Sequence, residues 1–235
     1  MSYDVVILGG GSGGYACALR ASQLGLSVVL IEADKVGGTC LHRGCIPTKA
    51  LLHAGEVADS ARHASEFGVN ATFNAIDMAG VNAYKDGVIA RLYKGLSGLV
   101  KSRGVTFVEG WGKLVSPNTV EVNGTQYTGK NVVLATGSYA RTLPGLDIDG
   151  QRVITSDHGT SMNYVPKSVI VLGGGVIGGL GGGAPMVPPP AGCGPERERP
   201  KQWRHQPRGG SSDLSDLSAY RDGGKRGGGG RSGSG

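Results

Sequence analysis

Two of the chain's four cysteines, Cys40 and Cys45, stand five positions apart in GGTCLHRGCIPTK, residues 37–49. Three fates are open to such a pair: redox exchange, a share in a metal site, or two inert thiols. In a regular helix, residues five apart have Cα atoms about 8–9 Å apart and point to different faces. A disulfide needs them within roughly 7 Å, so a bridge here requires a distorted helix start, and strained bridges are the easily reduced ones. Cys45 also falls near the start of a helix predicted from Pro47, where the dipole favours a thiolate, and Lys49 adds positive charge one turn on. A zinc site lacks partners. The other cysteines, Cys17 and Cys193, lie in a predicted helix and in a glycine-rich tail, no C-x-x-C knuckle exists, and His42 is expected to face solvent rather than to ligate.

A second kind of chemistry is written in glycine. Gly9, Gly11 and Gly14 form a G-x-G-x-x-G run that follows the apolar stretch DVVILGG and opens a helical pattern; the next apolar stretch ends in Glu32. The first glycine permits a tight turn, the second lets a pyrophosphate approach the backbone, and the third lets helix and strand pack closely. The helix start then faces the diphosphate, and Glu32 can accept from a ribose hydroxyl. Gly173, Gly175 and Gly178 repeat the run after SVIVLGG, but GLGGGAPMVPPP follows instead of a helix-forming sequence.

The elements that must position these groups read as an alternating α/β protein. DVVILGG and LSVVLIE fit buried parallel strands, and residues 14–24 between them space their apolar positions like a helix, giving a βαβ unit. Pro47 opens the helical pattern TKALLHAGEVADSARHA, and residues 77–101 form a second long amphipathic helix. VTFVEGWGKLV, NTVEVNG and QYTGKNVVLATG read as strands, with a turn at Asn123-Gly124, and SVIVLGG as one more buried strand.

After Gly178 the composition changes. Residues 179–235 hold 16 glycines and 7 of the 11 prolines and carry a net charge of +4, against +2 for residues 1–178. Such a tail buries too little apolar surface to offset its ordering entropy and is expected to be disordered. An arginine–glycine RNA-binding arm is disfavoured, because only Trp203 and Tyr220 could stack on bases and no repeat is present. The near-neutral first part has no basic signature for nucleic acid. The uncharged stretch 168–195 is too rich in glycine and proline for a membrane span. The N-terminal MSYDVVILGG lacks a basic residue before its apolar run, so the expectation is no secretory signal and a cytoplasmic location.

Taken together, the glycine fingerprint, the acidic strand end and GGTCLHRGCIPTK resemble the flavin-dependent pyridine nucleotide–disulfide oxidoreductases, over residues 1 to about 178. The cysteine segment is most similar to the branch that oxidises dihydrolipoamide; glutathione and mercuric reductases carry a close variant. LATGSYARTLPG and VIVLGGGVIG resemble later landmarks of the family. The resemblance implies a Rossmann-like FAD-binding domain, first segment 1–150, then the start of a second Rossmann domain for NAD at 151–178, with the tail at 179–235. By the same resemblance, Cys40 and Cys45 would be the redox-active disulfide, Cys40 exchanging with the dithiol substrate and Cys45 lying against the flavin as the charge-transfer thiolate. Lys49 would sit near the flavin ring. Gly9, Gly11, Ser12, Gly14 and Glu32 would hold the FAD diphosphate and ribose, with Gly38 and Thr39 lining the cofactor beside the disulfide. Gly112 would contact the adenine end, Thr136, Gly137 and Ser138 would run along the FAD, and Gly173, Gly175 and Gly178 would begin the NAD site. The implied reaction passes two electrons from dihydrolipoamide, presented by an acyltransferase or lipoyl domain of a 2-oxo acid dehydrogenase complex, through the disulfide and FAD to NAD. The implied assembly is a homodimer.

The chain also departs from that pattern. Leu180 stands where the family usually has glutamate, and His205 is followed by Gln206, Pro207 and Arg208 rather than by the family's histidine motif. The later cofactor-binding and interface segments have no counterpart in 179–235, so the NAD site and the acid–base pair are expected to be incomplete. The abrupt change inside a motif is what out-of-frame translation would leave. A flavin-binding fragment without turnover, or another disulfide reductase of the same family such as a glutathione or mercuric reductase, is therefore the alternative reading.

Overall fold

The structure is a computed structural model and describes residues 2–173 and 175–178. The expected tail, together with Leu180, Cys193 and His205, lies outside the described residues.

A six-stranded sheet organises the chain. β1 (Ser2–Leu8), α1 (Ser12–Gln23) and β2 (Val28–Glu32) form the expected βαβ unit, with Val5 to Leu8 paired in parallel with Val28 to Ile31. The chain then passes through three helices: α2 (Gly38–His42), α3 (Cys45–Arg62) and α4 (Met78–Ser102). It returns as β3 (Thr106–Glu109), parallel to β2. β4 (Gly112–Ser116), β5 (Thr119–Val122) and β6 (Thr125–Leu134) form an antiparallel meander, and the long β6 also pairs in parallel with β1. The sheet order is β3-β2-β1-β6-β5-β4. The run expected as one strand, VTFVEGWGKLV, is two, separated at Gly110 and Trp111. Asn123 and Gly124 both take positive φ, 51° and 77°, as a tight hairpin turn between β5 and β6 requires.

The continuous apolar runs of β1 and β2 are explained by burial on both faces. On one face Val5, Ile7, Val28 and Leu30 meet Ala18 and Ala21 of α1 and Val100 of α4. On the other, Val6, Val29 and Ile31 meet Val120 and Val122 of β5. The meander therefore covers the face that α1 and α4 leave open.

Two helix starts fall close to where the sequence places them. Asp77 caps α4, accepting from the Ala79 amide at 3.0 Å. α3 begins at Cys45, two residues before Pro47, which falls within its first turn. One expectation fails. Residues 168–173 form no strand, and Ile170 is 89% exposed. A buried strand needs a hydrogen-bonded neighbour and cover on both faces; among the described residues this segment has neither. α5 (Ser156–Gly159), a single turn with a Thr155–His158 capping box, was not legible as a helix because four residues carry no periodicity.

Candidate functional site

The C-terminal ends of β1, β2 and β6 converge on the first glycine loop. The Gly9 amide donates to Ile31 O at 2.8 Å, and the Ala135 amide to Leu8 O at 2.8 Å. Gly9 has φ +106°, and a Cβ there would run into the Ala135 carbonyl and stand 3.1 Å from the Thr136 nitrogen. A Cβ on Gly14 would collide with the Gly9 carbonyl and meet Ile7 Cγ2 at 3.5 Å, which is the close helix–strand packing assigned to the third glycine. α1 starts at Ser12 with Gly11 as its cap. No side chain caps it and its first turn holds no acidic residue. Its leading amides are thus left for an anion. Space is left too: a Cβ on Gly13 would meet nothing within 4 Å, and one on Gly11 only the Gly38 Cα at 4.0 Å.

Glu32 ends β2 and faces this loop. Its Oε2 accepts from the Gly10 amide at 2.6 Å and its Oε1 from the Asp34 amide at 3.0 Å. Each oxygen keeps a second lone pair, so the carboxylate both fixes the loop and remains able to accept a hydroxyl. Gly10 was not singled out in the sequence; only the fold shows that its amide anchors the acid.

The cysteine loop rests on the glycine loop. The Gly37 amide donates to Gly10 O at 2.8 Å, and a Cβ on Gly38 would come within 2.7 Å of the Gly11 Cα. From Gly38 the chain turns into α2, which carries exposed Thr39 and half-buried Cys40. Arg43 and Gly44 then break the helix, and Cys45 opens α3. The interruption removes the regular five-residue spacing that would hold the two sulfurs apart. Both cysteines are free thiols, and Cys45 is exposed. A hydrogen bond with Cys45 pushes the Cys40 thiol above its ordinary pKa; partial burial and the Cys45 charge act the same way, while the Cys45 amide and the Lys49 charge oppose. Lys49 is exposed, one turn into α3.

His42 corrects an expectation. It is half-buried rather than solvent-facing, with Nε2 3.0 Å from Val36 O and its ring edge-on to Tyr93 of α4 at 5.3 Å. Arg43 was also missed. It donates to Asp34 Oδ2 at 2.8 Å across an exposed pair, linking the cysteine loop to the residue that bonds Glu32. Among the described residues, no group of three or more His, Cys, Asp or Glu is placed to hold a metal ion.

The remaining positions fall as follows. Gly112 opens β4, where a Cβ would meet Leu8, Val120 and Ile31, so it lies beside the ends of β1 and β2. Thr136, Gly137 and Ser138 continue β6 past Gly9 and are exposed. The second glycine run repeats the first turn without its sheet. Gly173 has φ +102°, and a Cβ on Gly178 would collide with the Gly173 carbonyl and meet Val171 Cγ1 at 3.3 Å. Helical backbone begins at 176–178, with Gly175 at its start. No helix of the described residues is long and apolar enough to cross a membrane.

A dinucleotide-type glycine loop with a dithiol loop seated on it defines a class. Residues 3–179 match the family described as pyridine nucleotide-disulphide oxidoreductase, and the chain belongs to that family of oxidoreductases. It is 44% identical over 189 residues to a dihydrolipoyl dehydrogenase of Bacillus subtilis, covering 75% of this chain and 40% of that protein. It is 43% identical over 182 residues to the mitochondrial dihydrolipoyl dehydrogenase 1 of Arabidopsis thaliana, covering 74% and 36%. A leghemoglobin reductase of Vigna unguiculata is 42% identical over 182 residues, covering 74% and 35%. The chain thus spans well under half the length of these relatives.

Proposed function

We propose that the chain carries the flavin-binding segment and the redox disulfide of a dihydrolipoyl dehydrogenase. The observation that carries this reading is the seating of the Cys40–Cys45 loop on the Gly9–Gly14 loop.

The residues present fit FAD. Gly9, Gly11, Ser12 and Gly14 offer an uncapped helix start and an open backbone cradle for a diphosphate, and Glu32 offers an acceptor for a ribose hydroxyl. Gly38, Thr39 and Lys49 would lie beside the flavin, Gly112 toward the adenine end, and Thr136, Gly137 and Ser138 along the cofactor. When bound, FAD supplies a two-electron acceptor for the dithiol.

The protein's own sulfurs carry the first half of the reaction. A substrate thiolate attacks Cys40 Sγ of the oxidised pair, an S–S bond forms to substrate, and Cys45 leaves as a thiolate at the start of α3. The second substrate thiol then attacks the substrate sulfur of the mixed disulfide. Lipoyl disulfide departs, and Cys40 and Cys45 hold the two electrons. Cys40 then keeps its proton by donating to Cys45, which agrees with its raised pKa. The substrate would be a dihydrolipoyl group on an acyltransferase or lipoyl domain of a 2-oxo acid dehydrogenase complex, the working form a homodimer and the final acceptor NAD. The turn at Gly173, Gly175 and Gly178 would be the start of the NAD site.

A second reading, a flavin-binding module without turnover, is favoured by residues 168–173, which form no strand ahead of that second turn. Purified chain reconstituted with FAD separates the two. Bleaching of the flavin by dihydrolipoamide, lost in Cys40→Ser, supports disulfide chemistry; NADH production in the same sample supports complete turnover. Flavin retention without bleaching supports the binding module.

A further inference from the structure

The helix α4 supports the cysteine loop from behind, through a lysine that the cofactor and disulfide readings leave unused. Lys85 is only 7% exposed. Its ammonium donates to Asn82 Oδ1 at 2.9 Å and to Thr160 O at 2.9 Å, and lies 3.4 Å from Asp86 Oδ1. A buried ammonium is retained only where partners replace water, and here one of them is the backbone of a distant segment. Asn82 holds the same segment by donating to Met162 O at 2.9 Å. Thr160 in turn reaches the cysteine loop: its Oγ1 lies 3.3 Å from Arg43 O and 3.1 Å from Asp157 O. Arg43 sits in the break between α2 and α3, with Cys40 on one side and Cys45 on the other.

We propose that Lys85 is a positioning residue for the redox pair: by clamping the Thr160 segment onto α4, it fixes the Arg43–Gly44 break and so holds Cys40 and Cys45 within bonding reach. The inference rests on the reading of that pair as the redox couple. Loss of the clamp lets the two thiols separate, which lowers their effective concentration and disfavours the disulfide. The couple is balanced: the protein dithiol and glutathione disulfide give the protein disulfide and two glutathione thiols.

The test equilibrates the full chain in glutathione redox buffers and measures the Cys40–Cys45 state by thiol trapping and peptide mass spectrometry. It needs neither flavin nor NAD, so failure of the cofactor reading leaves it interpretable. Lys85→Met is expected to shift the equilibrium about tenfold toward the dithiol, equivalent to ~30 mV. Thr160→Val, which removes one hydroxyl and keeps the shape, shifts it in the same direction by a smaller factor, and Lys85→Arg recovers most of the loss. A purely structural lysine would lower the melting temperature and leave the couple in place. The proposal is overturned if folded Lys85→Met keeps the wild-type equilibrium, or if Thr160→Val does. Should Lys85→Met not fold, Thr160→Val decides alone.

Discussion

Gly11 and Gly38 lie backbone against backbone: a Cβ on Gly38 would stand 2.7 Å from the Gly11 Cα. They stand 27 positions apart in sequence, yet they join the two loops on which the proposed chemistry depends. Gly38 has φ +56°, a left-handed conformation that costs other residues about 1–2 kcal/mol even without a clash. Gly38→Ala is therefore expected to push the cysteine loop off the glycine loop and to abolish flavin retention on purification, with a lower melting temperature. Unchanged flavin absorbance in that variant would separate the loops functionally.

Cys45 raises the Cys40 pKa chiefly through the hydrogen bond between them. In Cys45→Ala that bond is gone, whereas the Lys49 charge that opposes it remains. The alkylation midpoint of Cys40 should therefore fall, and its alkylation near neutral pH should quicken. Mass spectrometry of the Cys40 peptide across pH measures this; a midpoint that stays or rises counts against the hydrogen bond.

Glu32 fixes the glycine loop and is proposed to hold the ribose, so its variants should split the two roles. Glu32→Ala leaves the part-buried Gly10 amide without its acceptor, a loss of about 1 kcal/mol, while water replaces the acceptor at the exposed Asp34 amide; weaker FAD binding is expected with it. Glu32→Gln keeps one oxygen acceptor and should recover part of each. Denaturant melts and flavin titrations read the two effects separately.

At the far end of β1, Lys130 donates to Asp4 at 2.7 Å, while the Ser27 amide and hydroxyl donate at 2.9 and 2.7 Å. These bonds, the Lys130 one foremost, hold the Asp4 carboxyl well below the ordinary carboxylate range. A depressed acid contributes stability that is complete above its unfolded pKa, about 3.9, and is lost as pH falls through the folded one. Asp4→Asn should thus melt lower than wild type at neutral pH, the gap closing progressively below about pH 4. Lys130 has a raised pKa from the same pair, so its contribution is present below the ordinary lysine range and fades at higher pH. Salt should shrink the neutral-pH gap, because Lys130 is exposed.

Much of this was legible because local sequence and fold agree. DVVILGG, LSVVLIE and the residues between them specify strand, helix and strand without tertiary help, and Asn123-Gly124 marks a turn. What escaped depended on contacts between distant segments. His42 looked like a surface residue because nothing local shows Tyr93 and Val36 O waiting for it. Gly10 and Arg43 gain their roles only when Glu32 and Asp34 arrive beside them. SVIVLGG carries the composition of a buried strand, but composition supplies neither neighbour nor cover. The second glycine run is the mixed case: Gly173 and Gly178 form the same turn as Gly9 and Gly14, because that turn is set by glycine sterics rather than by the sheet.

Cys40 and Cys45 are proposed to form a couple that exchanges with a dithiol substrate. The most direct measurement oxidises the chain, removes the oxidant, adds excess dihydrolipoamide under anaerobic conditions and maps every cysteine by trapping and mass spectrometry. An intramolecular Cys40–Cys45 disulfide is expected before addition, its loss afterwards, and one lipoamide formed per pair reduced. Cysteines that never bridge each other, or a bridge untouched by dihydrolipoamide in folded protein, would contradict it.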